Sequence, residues 1–208
     1  MYHGEKFNSI SHLVGAILAL VGFGGLLTVA INTGDTATII SFAVFGATLV
    51  LLYTMSTLYH SFHPPRLKRV FRKFDHLTIY LLIAGTYTPY MMVSIGDSAG
   101  YGMLALVWGL AFIGVAIELL SPKRIEALQI IIYLFMGWVC VFHFSTLVEN
   151  VGKAGVIWLA TGGVAYTVGV VFYILDHADR LRHAHGIWHL FVLVGSLTHY
   201  VSIVGYVR

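Results

Sequence analysis

His185 and His189 stand four residues apart, so on a helix both imidazoles leave the same face one turn apart, the spacing that a shared metal ion requires. A third imidazole, His60, and a carboxylate, Asp75, lie far away in the sequence. If the fold brings them together, three neutral imidazoles leave one position of a tetrahedral metal open. Zinc holds a reactive water in that arrangement, whereas structural zinc sites fill all four positions with protein ligands. Cys140 is the only cysteine, so neither a cysteine zinc site nor an intramolecular disulfide can form.

The elements that must position these groups follow from composition. Of 208 residues, 58% are hydrophobic and only 10% are charged, against roughly 25% charged in a soluble domain. Apolar stretches of about 20 residues, enough to cross a hydrocarbon core of roughly 30 Å, can be drawn at 10–31, 38–60, 76–95, 100–120, 125–147, 154–175 and 185–206. Between them fall turn-forming residues at 32–35, Pro64-Pro65, Gly96-Asp97-Ser98, Ser121-Pro122, 150–152 and 176–182. The expected fold is an all-α integral membrane protein, a single seven-helix domain over 1–208 with short connections. Glycine pairs such as Gly24-Gly25 and Gly162-Gly163 suit close helix packing in lipid. Pro89 should kink the third span, because its ring displaces a backbone hydrogen bond.

Charge orients the bundle. Ten of the twelve Lys and Arg residues lie in the N-terminal segment and the second, fourth and sixth loops: Lys6, then Arg66, Lys68, Arg69, Arg72 and Lys73, then Lys123 and Arg124, then Arg180 and Arg182. Only Lys153 and Arg208 lie on the other side. Short loops obey the positive-inside rule, so the N-terminus should be cytoplasmic and the C-terminus outside, in a multi-pass protein of the cell membrane. The net charge of +3 then reflects a basic loop resting on anionic headgroups, not nucleic-acid binding.

With that orientation, the second span runs inward and ends at His60, the third runs outward from Asp75, and the seventh runs outward from His185 and His189. All four meet near the cytoplasmic face, and Ser56 lies one turn from His60 on the same helical face. A single histidine at a helix end can simply rest its polar tip among headgroups. A set of three with an acid at one depth asks for a shared partner, since Asp75 within a span costs about 2.5–3.5 kcal/mol at the bilayer centre, less near the end.

Further polar residues are less decisive. Glu5, Asn8 and His12 fall on one face of a helix entering the first span, either a polar cluster at the cytoplasmic mouth or an ordinary helix start. His143 and His199 lie near the outer ends of spans five and seven, too far from His185 to join it. They are a hydrogen-bonded pair or separately satisfied core histidines. Glu118 either faces an internal cavity or reaches the interface.

The sequence resembles the progestin and adipoQ receptor superfamily, and most closely its bacterial branch, the hemolysin III family. Three motifs carry the likeness in order: Glu5-x2-Asn8-x3-His12, Ser56-x3-His60-x14-Asp75 and His185-x3-His189. The resemblance implies a seven-helix bundle with zinc on His60, His185 and His189, and Asp75 with Ser56 around the zinc water. The animal receptors carry a sizeable region before their first span, whereas about nine residues precede it here. Alkaline ceramidases look similar in the same three-His, one-Asp, one-Ser layout. That analogy favours hydrolysis of membrane-lipid amides or esters, with Asp75 accepting a proton and Ser56 orienting the water or oxyanion. Two other classes use the same features: a non-catalytic sensor or regulator of membrane state with structural zinc, and a cytolytic pore-former.

Overall fold

The computed structural model describes residues 4–121 and 125–208, and every regular element among them is helical. The helices are α1 (Lys6–Thr33), α2 (Thr36–Ser61), α3 (Pro65–Pro89), α4 (Ser98–Leu120), α5 (Glu126–Trp138), α6 (Phe144–His177) and α7 (Ala184–Tyr206). Six helical stretches are long and apolar enough to cross a membrane. Lys123 and Arg124, counted above with the basic loops, lie outside the described residues.

Local chemistry sets the boundaries. Gly34, at φ 69°, ends α1 by donating its N–H to Ile31 O, a left-handed cap that glycine adopts without strain. Asp35 then caps α2, its carboxylate accepting from Thr38 N at 2.7 Å and Thr38 Oγ1 at 2.6 Å. Asp97 caps α4 in the same way through Gly100 N at 2.9 Å. Pro65 stands in the first turn of α3, where its missing N–H costs nothing.

Two differences from the hydropathy reading matter for the site. The basic loop expected at 66–73 is helical, because α3 begins at Pro65, well before the apolar run at 76. Leu67, Val70, Phe71 and Phe74 recur at helical spacing there, and Leu67, Val70 and Phe74 are exposed together with Arg66, Arg69 and Arg72. Lys68 folds inward to Glu5.

The expected fifth and sixth spans fall within one helical stretch, Glu126–His177, of 52 residues. A straight helix of that length would run about 78 Å, more than twice the hydrocarbon thickness. The stretch instead doubles back: Glu126 Oε2 lies 3.0 Å from His177 Nε2, and Trp138 Nε1 donates to Thr167 Oγ1 at 3.0 Å. Between them, Gly152 leaves the helical region at φ 77°, ψ 160°.

Pro89 closes α3 and is followed by a π-helical segment, Tyr90–Ile95. Backbone groups loosened there find new partners: Asn150 Nδ2 donates to Ser94 O at 2.6 Å. Nearby, Tyr90 OH donates to Ser202 Oγ at 2.8 Å, which donates to Gly155 O at 2.8 Å.

The helices pack α1 on α2, α2 on α3, α3 on α5, α5 on α6, α6 on α7 and α7 on α1, with α4 against α3 and α5. Phe42, Phe45, Tyr53, Tyr80, Met91 and Met136 fill the interior, while large apolar residues such as Leu18, Val21, Phe112 and Leu197 face outward, as a lipid-solvated surface allows. The ring of packed helices places the last turn of α2 beside the first turns of α1 and α7.

Candidate metal centre

His60 ends α2, and His185 and His189 open α7. Their ligand atoms all lie within 4.8 Å of one another. Ring centroids are 4.8–5.0 Å apart in every pair, so no side chain stands between them.

What each imidazole does with its other nitrogen decides how the group can be used. His60 Nδ1 lies 2.6 Å from Glu5 Oε2, His185 Nδ1 lies 3.1 Å from Asp176 Oδ2, and His189 Nδ1 lies 3.1 Å from the backbone carbonyl of Asn8. Carboxylate and carbonyl oxygens only accept, so all three Nδ1 atoms carry a proton, and in the neutral ring each Nε2 keeps its lone pair. This is how a protein fixes the tautomer of metal-binding histidines. His60 Nε2 is buried and has no hydrogen-bond partner among the described residues, a state that is costly unless a hydrogen-bond donor or a metal ion meets it. Three neutral imidazole donors suit zinc, copper, iron or nickel, and they leave a fourth position free.

The acceptors are themselves held. Glu5 takes hydrogen bonds from Lys68 Nζ at 2.9 Å and Asn8 Nδ2 at 2.9 Å besides that from His60. Burial pushes the Glu5 carboxyl up, but the hydrogen bonds from His60, Lys68 and Asn8 prevail and hold it well below the usual carboxylate range. It therefore remains an acceptor. At the start of α1, Glu5 and Asn8 hydrogen-bond to each other and each meets one of the histidines.

His12 belongs to the same assembly without joining the three. Its ring stacks on His189 with centroids 3.5 Å apart and planes 11° apart, and its Nδ1 lies 2.7 Å from Ser56 Oγ. The hydroxyl of Ser56 thus pairs with His12. Asp75 is partly exposed and is not one of the grouped ligands; its carbonyl accepts from Thr78 Oγ1. The next residue, His76, does line a polar cavity of about 560 Å³ that opens on His60 and His185 and is also walled by Glu5, Arg72 and Asp176. A separate cavity of about 210 Å³, almost wholly apolar, lies among Leu52, Ile83, Met91, Trp188 and Val192.

Sequence reasoning missed Asp176, which closes α6 inside a stretch read as a connection; its only signal is an acid nine residues before His185. It also left Glu118 open between cavity and interface. The structure buries Glu118 against Gln129 and His76. His199 donates from Nε2 to Leu159 O at 3.0 Å and makes no hydrogen bond with His143 among the described residues.

A family model described as haemolysin-III related matches residues 1–200. Hemolysin-3 of Bacillus cereus is 36% identical over 203 residues, which cover 98% of this chain and 91% of that protein. The hemolysin-3 homolog of Bacillus subtilis (strain 168) is 36% identical over 202 residues, 97% of this chain and 93% of that one. The adiponectin receptor protein of Drosophila melanogaster is 25% identical over 226 residues, 97% of this chain and 50% of its own length.

Proposed function

The chain belongs to the haemolysin-III-related family, and from that premise we propose that it is a zinc-dependent hydrolase of membrane-lipid amides or esters. Its bundle crosses the cell membrane seven times, with the N-terminus cytoplasmic and the zinc near the cytoplasmic face. The doubling back at Gly152 supports the seventh crossing, and the exposed Arg66, Arg69 and Arg72 at the start of α3, the last of them lining the cavity with His60 and His185, support the orientation. One observation carries the reading: three Nδ1–H groups are each tied to an acceptor, which turns three Nε2 atoms toward one another, and two of those rings, His60 and His185, line a polar cavity.

His60, His185 and His189 would hold the zinc, which when bound supplies a water of pKa lowered toward 7, roughly. Glu5 and Asp176 fix the planes and the tautomers of the His60 and His185 rings. The charged cavity wall, with Arg72 and Glu5, receives a headgroup and its scissile bond at inner-leaflet depth. Asp75, where the third span begins, is one residue from His76 and is not itself in the cavity lining; in this reading it takes the proton of the attacking water. Ser56, through His12, steadies the His189 ring from behind.

A specific observation favours a second reading, a regulator of membrane state with structural zinc: the centre ties α1, α2 and α7 together through Glu5, His60 and His189. A cytolytic pore finds less support, because the polar groups cluster at one end and line no continuous path. The test uses purified protein in lipid nanodiscs. About one zinc per chain is expected by elemental analysis, depleted in His60→Ala, His185→Ala and His189→Ala. Free fatty acid should be released from a ceramide-containing lipid panel, and Asp75→Ala with its zinc retained should release none. No zinc-dependent product above the Asp75→Ala background would replace the enzyme with the regulator; equal zinc in all three histidine variants would remove the metal.

A further inference from the structure

The polar cavity that His60 and His185 line also carries an imidazole that the proposed reaction does not use. His76 of α3 lines that cavity yet is only 7% exposed. Its Nδ1 is buried and turned to Glu118 Oε1 of α4 at 3.6 Å, within ion-pair range. The other Glu118 oxygen accepts from Gln129 Nε2 of α5. Tyr133 OH of the same helix donates to the His76 carbonyl at 2.8 Å, fixing the backbone that carries the ring.

A carboxylate and an imidazole inside a membrane bundle are expensive, and apolar residues of similar volume would pack there at no such cost. Three helices nevertheless converge to hold this pair. A carboxylate behind one ring nitrogen, with the rest of the ring at a cavity, makes an imidazole a directional proton carrier: the acid fixes the tautomer and stabilises the imidazolium.

We propose that His76 is the proton-transfer group of the polar cavity, with Glu118 and Gln129 as its positioning pair. The proposal rests on the acyl-hydrolase reading. The water oxygen adds to the acyl carbon and gives its proton to Asp75. As the carbon–nitrogen bond breaks, its electron pair goes to nitrogen, which takes the proton of His76. The proton on Asp75 then passes to His76, so each turnover consumes one water and releases one fatty acid and one amine. An ester substrate follows the same course with an alcohol as the leaving group.

The test uses full-length, zinc-loaded protein in nanodiscs, with ceramide as the probe lipid and selectively ¹⁵N-histidine-labelled protein for NMR. His76→Gln should keep its zinc and lower kcat by about 100- to 10,000-fold with little change in KM, and added imidazole should restore part of the rate to His76→Ala. Glu118→Gln should lower kcat less and move the His76 ring ¹⁵N signals, a readout independent of turnover. Wild-type kcat in zinc-replete His76→Gln overturns the proposal, and so do His76 signals unmoved by Glu118→Gln. If His76→Gln does not purify, Glu118→Gln, which keeps the shape of the side chain, carries both readouts. A wild type that hydrolyses no lipid retires the hydrolase reading instead. In that case the NMR arm decides, a moved His76 signal supporting the positioned imidazole and an unmoved one overturning it.

Discussion

Removing the acceptor behind His60 should weaken the metal site more than removing the one behind His185, and the structure gives the size of the gap. Glu5 Oε2 meets His60 Nδ1 at 2.6 Å, with the His60 side chain 2% exposed. Asp176 Oδ2 meets His185 Nδ1 at 3.1 Å, with those side chains 35% and 21% exposed. Loss of such an outer partner costs about 10- to 100-fold in metal affinity, or about 1.4–2.8 kcal/mol. Glu5→Ala leaves a buried imidazole N–H that water cannot easily reach, and belongs at the upper end. Asp176→Ala leaves an accessible N–H that water can satisfy, and belongs at or below the lower end. Glu5→Gln falls between, since it keeps an acceptor and loses the charge, a difference of about 1 kcal/mol or roughly five-fold. Zinc dissociation constants from competition with a fluorescent chelator, in nanodiscs at fixed pH, measure all three. A wild-type constant in Glu5→Ala, or a larger loss in Asp176→Ala than in Glu5→Ala, refutes the claim that the start of α1 completes the centre.

Two further outcomes test the frame that carries it. Gly152 occupies a region that essentially only glycine adopts, and a Cβ there would meet nothing within 4 Å, so Gly152→Ala should cost about 1–3 kcal/mol from backbone strain alone. Gly109→Ala, a helical position equally open, should be neutral or slightly stabilising in the same thermal unfolding series, and equal behaviour of the two would contradict the reversal at Gly152. A reporter active only in the cytoplasm should work when fused after Arg72 and fail after Arg208; reversed signals would move the metal to the other side of the membrane.

The parts of this molecule that the sequence made legible are the local ones. Four-residue spacing puts His185 and His189 on one face whatever surrounds them, and a run of apolar residues must be helical in lipid because no water is there to satisfy its backbone. Gly96, Asp97 and the break at 150–152 were readable because turn chemistry resides in the residue itself. What was hidden depended on partners far away in sequence. Ser56 shares a helical face with His60, which suggested a role beside the metal, but its hydroxyl is taken by His12 from α1. Nor does hydropathy tell a basic loop from a basic helix, so the early start of α3 went unseen, and with it the way Lys68 reaches Glu5.

The two halves of the site have different physical origins, and this explains why only one was visible. The half that could face a metal is three imidazoles, a residue type that stands out in an apolar chain and, for His185 and His189, recurs at a readable helical spacing. The outward half need only offer an acceptor to each Nδ1, and here those acceptors are of three kinds: the Glu5 carboxylate from α1, the Asp176 carboxylate from the end of α6, and the Asn8 carbonyl. A backbone carbonyl has no side-chain signature at all, so no reading of residue types could have singled it out. Two of the three acceptors come from the start of α1, its N-cap Glu5 and its first-turn Asn8, and the next turn brings His12 onto the His189 ring. The start of α1 therefore sets the tautomer of two of the three grouped imidazoles, although it contributes no imidazole to the group.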